Sequence, residues 1–165
     1  MNDRIIVEKA VQKDPDSFTE LMQMHMQNMY RIALAILMND EDVADAIGDA
    51  ILACWEKIGS LKKPEFFKTW LIRIVINKSN DILRKRRRII DIEEIPEEAS
   101  ETSDNLELKE ALRELDSKYR VPVILYYFEG YTTEEIAGIL KIPKSTVQTR
   151  LSRAREKIKI HLTDT

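Results

Sequence analysis

The sequence predicts an all-α protein made of two small helical domains that are joined by a flexible acidic linker. Glycine and proline number only 4 and 5 among 165 residues, too few for an all-β fold with many turns. Apolar residues recur at three- and four-residue steps in both halves of the chain, which is the period of amphipathic helices. Between these halves, residues 89–108 hold eight acidic and no basic side chains. The net charge of −3 therefore conceals two mildly basic bodies and an acidic connection.

Three helices are predicted first. A short one covers residues 3–12 and stops at Asp14, which is followed by proline. The second follows the apolar stripe of residues 18–36, and the third follows the stripe of residues 43–54. Asn39 lies between the second and the third, where a short polar side chain can begin a helix.

A fourth helix completes the upstream domain. Gly59 is expected to end the third helix with a left-handed cap. The fourth helix begins after Pro64 and runs toward Arg84. Residues 70–76 are apolar on nearly every side, so we expect this part of the helix to lie centrally among the others.

The predicted linker is residues 90–105. It contains Pro96, no aromatic residue and too little apolar surface to offset the entropy of ordering it. Its residues could reach about 50 Å when extended, at roughly 3.3–3.6 Å each. The two bodies could thus grip separated parts of one target. The alternative is a surface loop inside one domain, although structureless loops of this length are uncommon there.

Downstream, an amphipathic helix follows the apolar stripe of residues 108–115. A second covers residues 117–128, with Pro122 tolerable only near its first turn, and Gly130 closes it. A short helix over residues 133–140, a tight connection and a last helix to about residue 161 complete the chain.

These last two helices carry a helix-turn-helix pattern. Thr132 and Glu135 fit a capping box at the start of the first. In the last helix an apolar stripe alternates with a face of short polar and basic side chains. Such a helix suits the major groove, where amides and arginine read base edges while flanking cations hold phosphates. The candidate DNA contacts are Lys144, Ser145, Thr146, Gln148, Thr149, Ser152 and Arg153.

Two alternatives apply to this pattern. It could be an ordinary helical hairpin with a solvated polar face. Ser145 and Gln148 also have the spacing of a capping box, which would turn the Gln148 side chain toward the backbone.

A second constellation combines aromatic and basic residues in the fourth helix. Phe66, Phe67 and Trp70 precede five consecutive basic residues, 84–88. Aromatic surface beside positive charge suits single-stranded nucleic acid, because bases stack and phosphates are neutralised. Taken alone, Phe67 and Trp70 are better explained as core, and the basic run as a solvated helix end. One helical face carries the candidates Asn77, Asp81, Arg84 and Arg88, and Asp81 can orient Arg84 or Lys85.

Composition excludes several classes. The longest apolar run, residues 32–38, is far shorter than the roughly 20 residues of a membrane-spanning helix, and the start has no signal-peptide core. A single Cys54 excludes an internal disulfide and fits a reducing cytoplasm. With only His25 and His161 beside it, no ordinary zinc site can form. No phosphate loop or nucleophile–base set appears. We therefore expect a cytoplasmic protein without membrane insertion, metal, cofactor or enzymatic activity.

Taken together, the chain from Phe18 to Lys159 resembles bacterial sigma factors of the extracytoplasmic-function group. The resemblance lies in four motifs in this order. They are Asp-Ala opening residues 45–55 with Trp at the end, WLxRIxxNxxxDxxR over residues 70–84, EEIA over residues 134–137, and TVxxRLxRAR over residues 146–155.

The resemblance implies three parts. Residues 1–89 would form a region 2 domain, residues 90–105 the linker, and residues 106–165 a region 4 domain that reads the minus-thirty-five promoter element. The loop of residues 59–65 would hold a flipped base. The implied minus-ten contacts are Lys62, Lys63, Trp70, Asn77, Asn80, Asp81, Arg84, Lys85 and Arg88.

It also implies partners. These are core RNA polymerase, through the clamp of its β′ subunit and its β subunit, promoter DNA, and an anti-sigma factor that is released under envelope stress. The implied polymerase contacts are Asp42, Asp45, Asp49, Leu52 and Trp55. The sequence departs from the family at Gly48, Asp49 and Ile51, where Gln-Glu followed by an aromatic residue two positions on is usual.

Other function classes have distinct requirements. A stand-alone helix-turn-helix regulator would bind DNA without polymerase, but it leaves residues 18–88 unexplained. A nuclease or transferase would need clustered carboxylates or a nucleophile. An adaptor that sequesters another regulator would bind its partner without supporting transcription.

Overall fold

The computed structural model describes residues 3–90 and 106–163, with side chains described for residues 3–87 and 108–158. Every regular element in these ranges is helical, which confirms the predicted fold class. Apart from Ile90, the predicted linker lies outside the described residues. The upstream helices are α1 (Asp3–Val11), α2 (Pro15–Met24), α3 (Met26–Leu37), α4 (Asp40–Lys57) and α5 (Phe67–Ile90). The downstream helices are α6 (Leu106–Arg113), α7 (Ser117–Val123), α8 (Thr133–Leu140) and α9 (Lys144–Thr163).

The upstream helices begin where the sequence supplies caps. The Asp14 side chain accepts the backbone N–H of Ser17 at 3.2 Å, and Pro15 occupies the first turn of α2. The side chain of Asn39 likewise accepts the N–H of Asp42 at 2.9 Å and begins α4.

The predicted single helix over residues 18–36 is wrong, because α2 and α3 are separated at His25. Its backbone, at φ −105° and ψ 7°, leaves the α-helical region. The carbonyl of His25 then accepts the N–H of Met29 at 2.9 Å and starts α3. The apolar period continues across this break because Leu21 and Ile32 are both buried in one core. Periodicity therefore could not reveal it.

The predicted left-handed cap at Gly59 is also wrong. The chain leaves α4 through a single 3₁₀ turn, Ile58–Ser60, in which Leu61 N–H bonds to the Ile58 carbonyl at 3.0 Å. A tighter turn of the same hand needs no positive φ. The left-handed residue of this region is instead Met38, at φ 49°, which closes α3.

Helix α5 lies at the centre of the upstream region, as predicted. Its residues Leu71, Ile72 and Val75 are almost fully buried, and α5 packs against both α3 and α4.

Pro122 does not lie in the first turn of its helix, contrary to the condition set by the sequence. It is the sixth residue of α7, and the chain continues as a wide π turn over Ile124–Phe128. Proline has no N–H to donate to the preceding turn, and the π turn re-establishes bonding with longer steps, Glu129 N–H to Ile124 at 3.0 Å. Gly130, at φ 76°, closes the turn as predicted.

The predicted helix-turn-helix is present. The capping box at α8 is complete, with Thr132 and Glu135 each accepting the other's backbone N–H. Lys141, at φ 57°, turns the chain toward α9. Val147 and Leu151 of α9 are buried against the rest of the downstream region.

The upstream and downstream regions pack directly on one another. Helix α7 and the π turn contact α3, and the buried residues of both regions belong to one apolar cluster. The expectation of two bodies connected only by a linker is therefore incomplete. Among the described helices, none combines the length and the apolar character needed to cross a bilayer.

Candidate nucleic-acid interface

The outer face of α9 is the first candidate surface. Its inner stripe, Val147, Leu151 and Ala154, is buried. All seven predicted contacts lie elsewhere on the helix. Lys144, Ser145, Gln148, Thr149, Ser152 and Arg153 are exposed, and Thr146 is half-buried.

The capping-box alternative for Gln148 does not fit the helix boundary. Helix α9 begins at Lys144, and its first bonds are donated by Thr146 and Val147 to the carbonyl of Pro143. Ser145 therefore lies inside the first turn rather than at the N-cap. The exposed Gln148 side chain can point toward a ligand.

Arg153 has a partner that the sequence analysis missed. A hydrogen bond from Arg153, together with the ammonium groups of Lys118 and Lys157, lowers the pKa of the Tyr119 phenol. The two ammonium groups lie 5.2 and 4.9 Å from the centre of the Tyr119 ring. The tyrosine lies 34 residues upstream of the arginine on α7, so no spacing within α9 could reveal the contact.

A recess of about 310 Å³ joins α7 to α9 at this point. Hydroxyl, guanidinium and ammonium groups surround it, the donors that hold a sugar-phosphate backbone. Its lining residues are Lys118, Tyr119, Ser145, Thr146, Thr149, Arg150 and Arg153.

The second candidate surface lies on α5. Asn77, Arg84 and Lys85 are exposed, and Arg84 donates to the carboxylate of Asp81 as the sequence predicted. Asn80 is half-buried and faces the downstream region. The side chain of Arg88 lies outside those described.

The approach to α5 holds the aromatic residues. Lys62 and Lys63 are exposed on the loop after α4, and the Lys63 ammonium lies 5.7 Å from the Phe66 ring centre. Phe67 is core, as the simpler interpretation held, whereas Trp70 is half-buried. Phe66 is 56% exposed and is the aromatic ring here that is freest to stack on a base.

A third surface lies along α4. Asp45, Asp49 and Leu52 are exposed, and Leu52 is 64% so, unusual for a leucine outside an interface. Trp55 is half-buried, with its ring edge against Phe18 at 5.0 Å between centres.

Asp42 differs from the other predicted polymerase contacts. Its side chain is only 12% exposed, and its carboxylate accepts a hydrogen bond from Arg86. The structure therefore assigns Asp42 an intramolecular partner.

Two family models match this chain. Sigma-70 region 2 matches residues 21–89, and Sigma-70 region 4 matches residues 105–158. RNA polymerase sigma factor SigV of Bacillus subtilis is 34% identical over 144 residues, covering 84% of this chain and 87% of its own length. The chain belongs to the sigma-70 family. Members of this family are non-enzymatic transcription initiation factors, so the expectation of no catalytic activity is confirmed.

Other sigma factors are similar over nearly the full length. The ECF RNA polymerase sigma factor SigW of Bacillus subtilis is 28% identical, over 94% of this chain and 95% of its own. CnrH, solved with the cytosolic domain of CnrY, superposes with a TM-score of 0.72 and 26% identity, over 98% and 97% of the two chains. RpoE of Bartonella quintana, solved with NepR, shares the fold at a TM-score of 0.77 and 24% identity, over 88% and 96%. The resemblance to the extracytoplasmic-function group is confirmed.

Proposed function

We propose that this sigma factor divides promoter recognition between its two regions, with residues 106–165 reading the minus-thirty-five element and residues 1–89 engaging the minus-ten element. As an ECF sigma factor it binds core RNA polymerase and directs promoter-specific initiation. The proposal concerns which residues carry each step.

The observation that carries the proposal is the division of α9 into two faces. One face is buried in the downstream region, and the other presents amide, hydroxyl and guanidinium groups to solvent. An exposed Gln148 and an Arg153 oriented by Tyr119 can reach base edges, while Lys144 and Lys118 flank them for phosphates.

The minus-ten role rests on the surface of α5 and its preceding loop. Exposed Phe66 offers a stacking face, and Lys62, Lys63, Arg84 and Lys85 supply positive charge around it. This combination suits a melted strand, whose bases are free to stack. We include Phe66 among the minus-ten contacts beside the residues predicted from sequence.

Polymerase docking is proposed for the exposed face of α4. Leu52 supplies an unpartnered apolar side chain, and Asp45 and Asp49 place acidic charge beside it. A small apolar centre with a charged rim is typical of protein interfaces. Asp42 and Trp55 remain in the proposed set, but both already contact other parts of this chain.

We also propose control by an anti-sigma factor in a stress response, with the cytoplasm as the compartment. CnrH, which is similar over 98% of this chain, was solved with a partner protein, the cytosolic domain of CnrY. A compartment shared with RNA polymerase follows from the family's role.

Run-off transcription tests the proposal. Purified core polymerase and fragmented genomic DNA of the source organism are incubated with and without the protein, and discrete start sites are mapped. The proposal requires starts that depend on both proteins and share two sequence elements. Leu52→Ser should abolish co-elution with core polymerase, whereas Ile5→Ser, at another exposed apolar residue, should not. Starts without a shared upstream element would refute the role of α9.

A stand-alone regulator is not favoured, because the region 2 match covers residues 21–89. It would require sequence-specific DNA binding by the isolated protein and no association with core polymerase.

A further inference from the structure

The turn that enters the helix-turn-helix also docks on the upstream region. The side chain of Glu129 is completely buried, and its Oε2 accepts from Arg31 of α3 at 3.3 Å. Lys68 of α5 lies 3.4 Å from its Oε1 and donates to its backbone carbonyl at 3.2 Å. One carboxylate of the downstream region is thus neutralised by two cations of the upstream region. A buried carboxylate without these partners would be strongly unfavourable.

Tyr131, two residues further on, makes a second contact of this kind. Its hydroxyl lies 3.1 Å from the Thr69 hydroxyl, and the Lys68 ammonium lies 5.5 Å from its ring centre. Gly130 between them has φ 76°, which directs both neighbouring side chains toward α3 and α5. We name Glu129, Gly130 and Tyr131 the latch.

Two more polar contacts hold the regions together. Arg120 Nε donates to the carbonyl of Ala35 at 2.6 Å, in the last turn of α3, where carbonyls have no partner within the helix. Lys109 Nζ donates to Asp40 at 2.6 Å. Four separate ties, rather than one chance contact, therefore join the two regions.

The docking covers part of the proposed minus-ten surface. A cavity of about 500 Å³ lies between the regions, lined on one side by Leu61, Trp70 and Arg73 and on the other by Gly138 and Ile139 of α8. A DNA strand that stacks on Trp70 would need the space that α8 occupies.

The closed arrangement is also too short for a promoter. Elements centred near −10 and −35 lie about 25 base pairs apart, or about 85 Å along B-DNA at 3.4 Å per pair. A body in which Trp70 and Ile139 line one cavity cannot reach both elements. The two regions must separate for α5 and α9 to bind together.

We propose, on the basis of the proposed function, that the latch holds the free chain closed and shields its minus-ten surface until polymerase and promoter separate the two regions. The chain thus restrains itself through an internal contact. Opening requires Arg31 and Lys68 to exchange Glu129 for water, which both can do because their side chains are 20% and 38% exposed.

The test measures a distance within the free chain. Cysteines are introduced at exposed Glu20 of α2 and Glu156 of α9 and labelled with a fluorescence-transfer pair. The native Cys54 is buried, and burial raises the pKa of its thiol to about 12, so it does not compete for label. Glu129→Gln keeps the shape of the side chain but removes its charge. Glu114→Gln makes the same change at an exposed site of the downstream region and is the matched control.

We expect high transfer in the parent chain and in Glu114→Gln, and a fall of at least half in Glu129→Gln. The free Glu129→Gln chain should also bind a mixed-sequence single-stranded 20-mer about fivefold more tightly, because the observed Kd scales inversely with the open fraction. Equal transfer in all three proteins would overturn the latch.

A second variant protects the test against misfolding. If circular dichroism shows that Glu129→Gln has lost helicity, Thr69→Val combined with Tyr131→Phe removes the hydroxyl contact without a charge change, and the same fall in transfer is required. Failure of the proposed function is read separately, because it would appear as absent run-off products from the parent protein whatever its transfer efficiency.

Discussion

Arg86 donates a hydrogen bond to the carboxylate of Asp42, and the two residues belong to surfaces for which the sequence predicts different partners. Arg86 belongs to the basic run of α5, and Asp42 to the polymerase-binding helix α4. Their side chains are 26% and 12% exposed, so this ion pair is mostly withdrawn from solvent. It joins α4 to α5 across 44 residues of sequence.

Arg86→Ala should lower the free energy of unfolding by about 1–3 kcal/mol, because it leaves a largely buried carboxylate without its charged donor. Arg87→Ala, one residue along at an exposed site, should change it by less than about 0.5 kcal/mol. Urea unfolding followed by circular dichroism measures both. Equal effects would mean that the Arg86 pair contributes little. Charge-reversal tests of promoter melting are therefore better made at Arg84 and Lys85 than at Arg86.

Gly48→Ala should stabilise the protein by about 1 kcal/mol, since glycine is unfavourable inside a helix and a Cβ at this position meets nothing within 4 Å. The same change at Gly130 should destabilise by about 1 kcal/mol or more, because alanine is strained at φ 76°. Thermal unfolding of the two variants should therefore shift the midpoint in opposite directions. A loss of stability in Gly48→Ala would refute the open environment seen here.

Stability should decline as the pH falls below about 6.5, partly through His25. Burial, and then the ammonium of Lys68, lower the pKa of its imidazole below 6.5, with a smaller opposing effect of Asp3. The unfolded chain therefore takes up this proton first, and the stabilisation is complete above pH 6.5 and lost as the pH falls toward the folded-state pKa. His25→Gln should flatten the dependence of unfolding free energy on pH between about 5 and 7. An unchanged slope would show that other groups cause it.

Tyr119→Phe should weaken binding to the minus-thirty-five element about threefold or more, because it removes the hydroxyl that orients Arg153 but keeps the ring. Arg153→Ala should weaken it about tenfold or more, the effect of one lost bidentate base contact. Adding Tyr119→Phe to Arg153→Ala should have little further effect if the tyrosine acts through the arginine. Binding is measured on duplexes carrying the mapped promoter. Additive losses would mean that Tyr119 contacts DNA independently.

Much of the candidate site could be predicted from sequence, because a helix places residues on its faces by a fixed local period. The exposed residues of α9 and the pairing of Arg84 with Asp81 both follow from that period. The same rule failed at His25, because the apolar stripe of one core runs through two helices that point into it. It also could not assign Tyr119 to Arg153, which belong to different helices.

The sequence by itself determined the all-helical class, the capping box at Thr132 and the buried and exposed faces of α9, because each depends on residues within a few positions of one another. Tertiary structure alone decided that Asp42 is buried against Arg86 and that Glu129 lies between Arg31 and Lys68. These contacts join residues 44 to 98 positions apart, and they depend on how the helices cross, which no local pattern encodes.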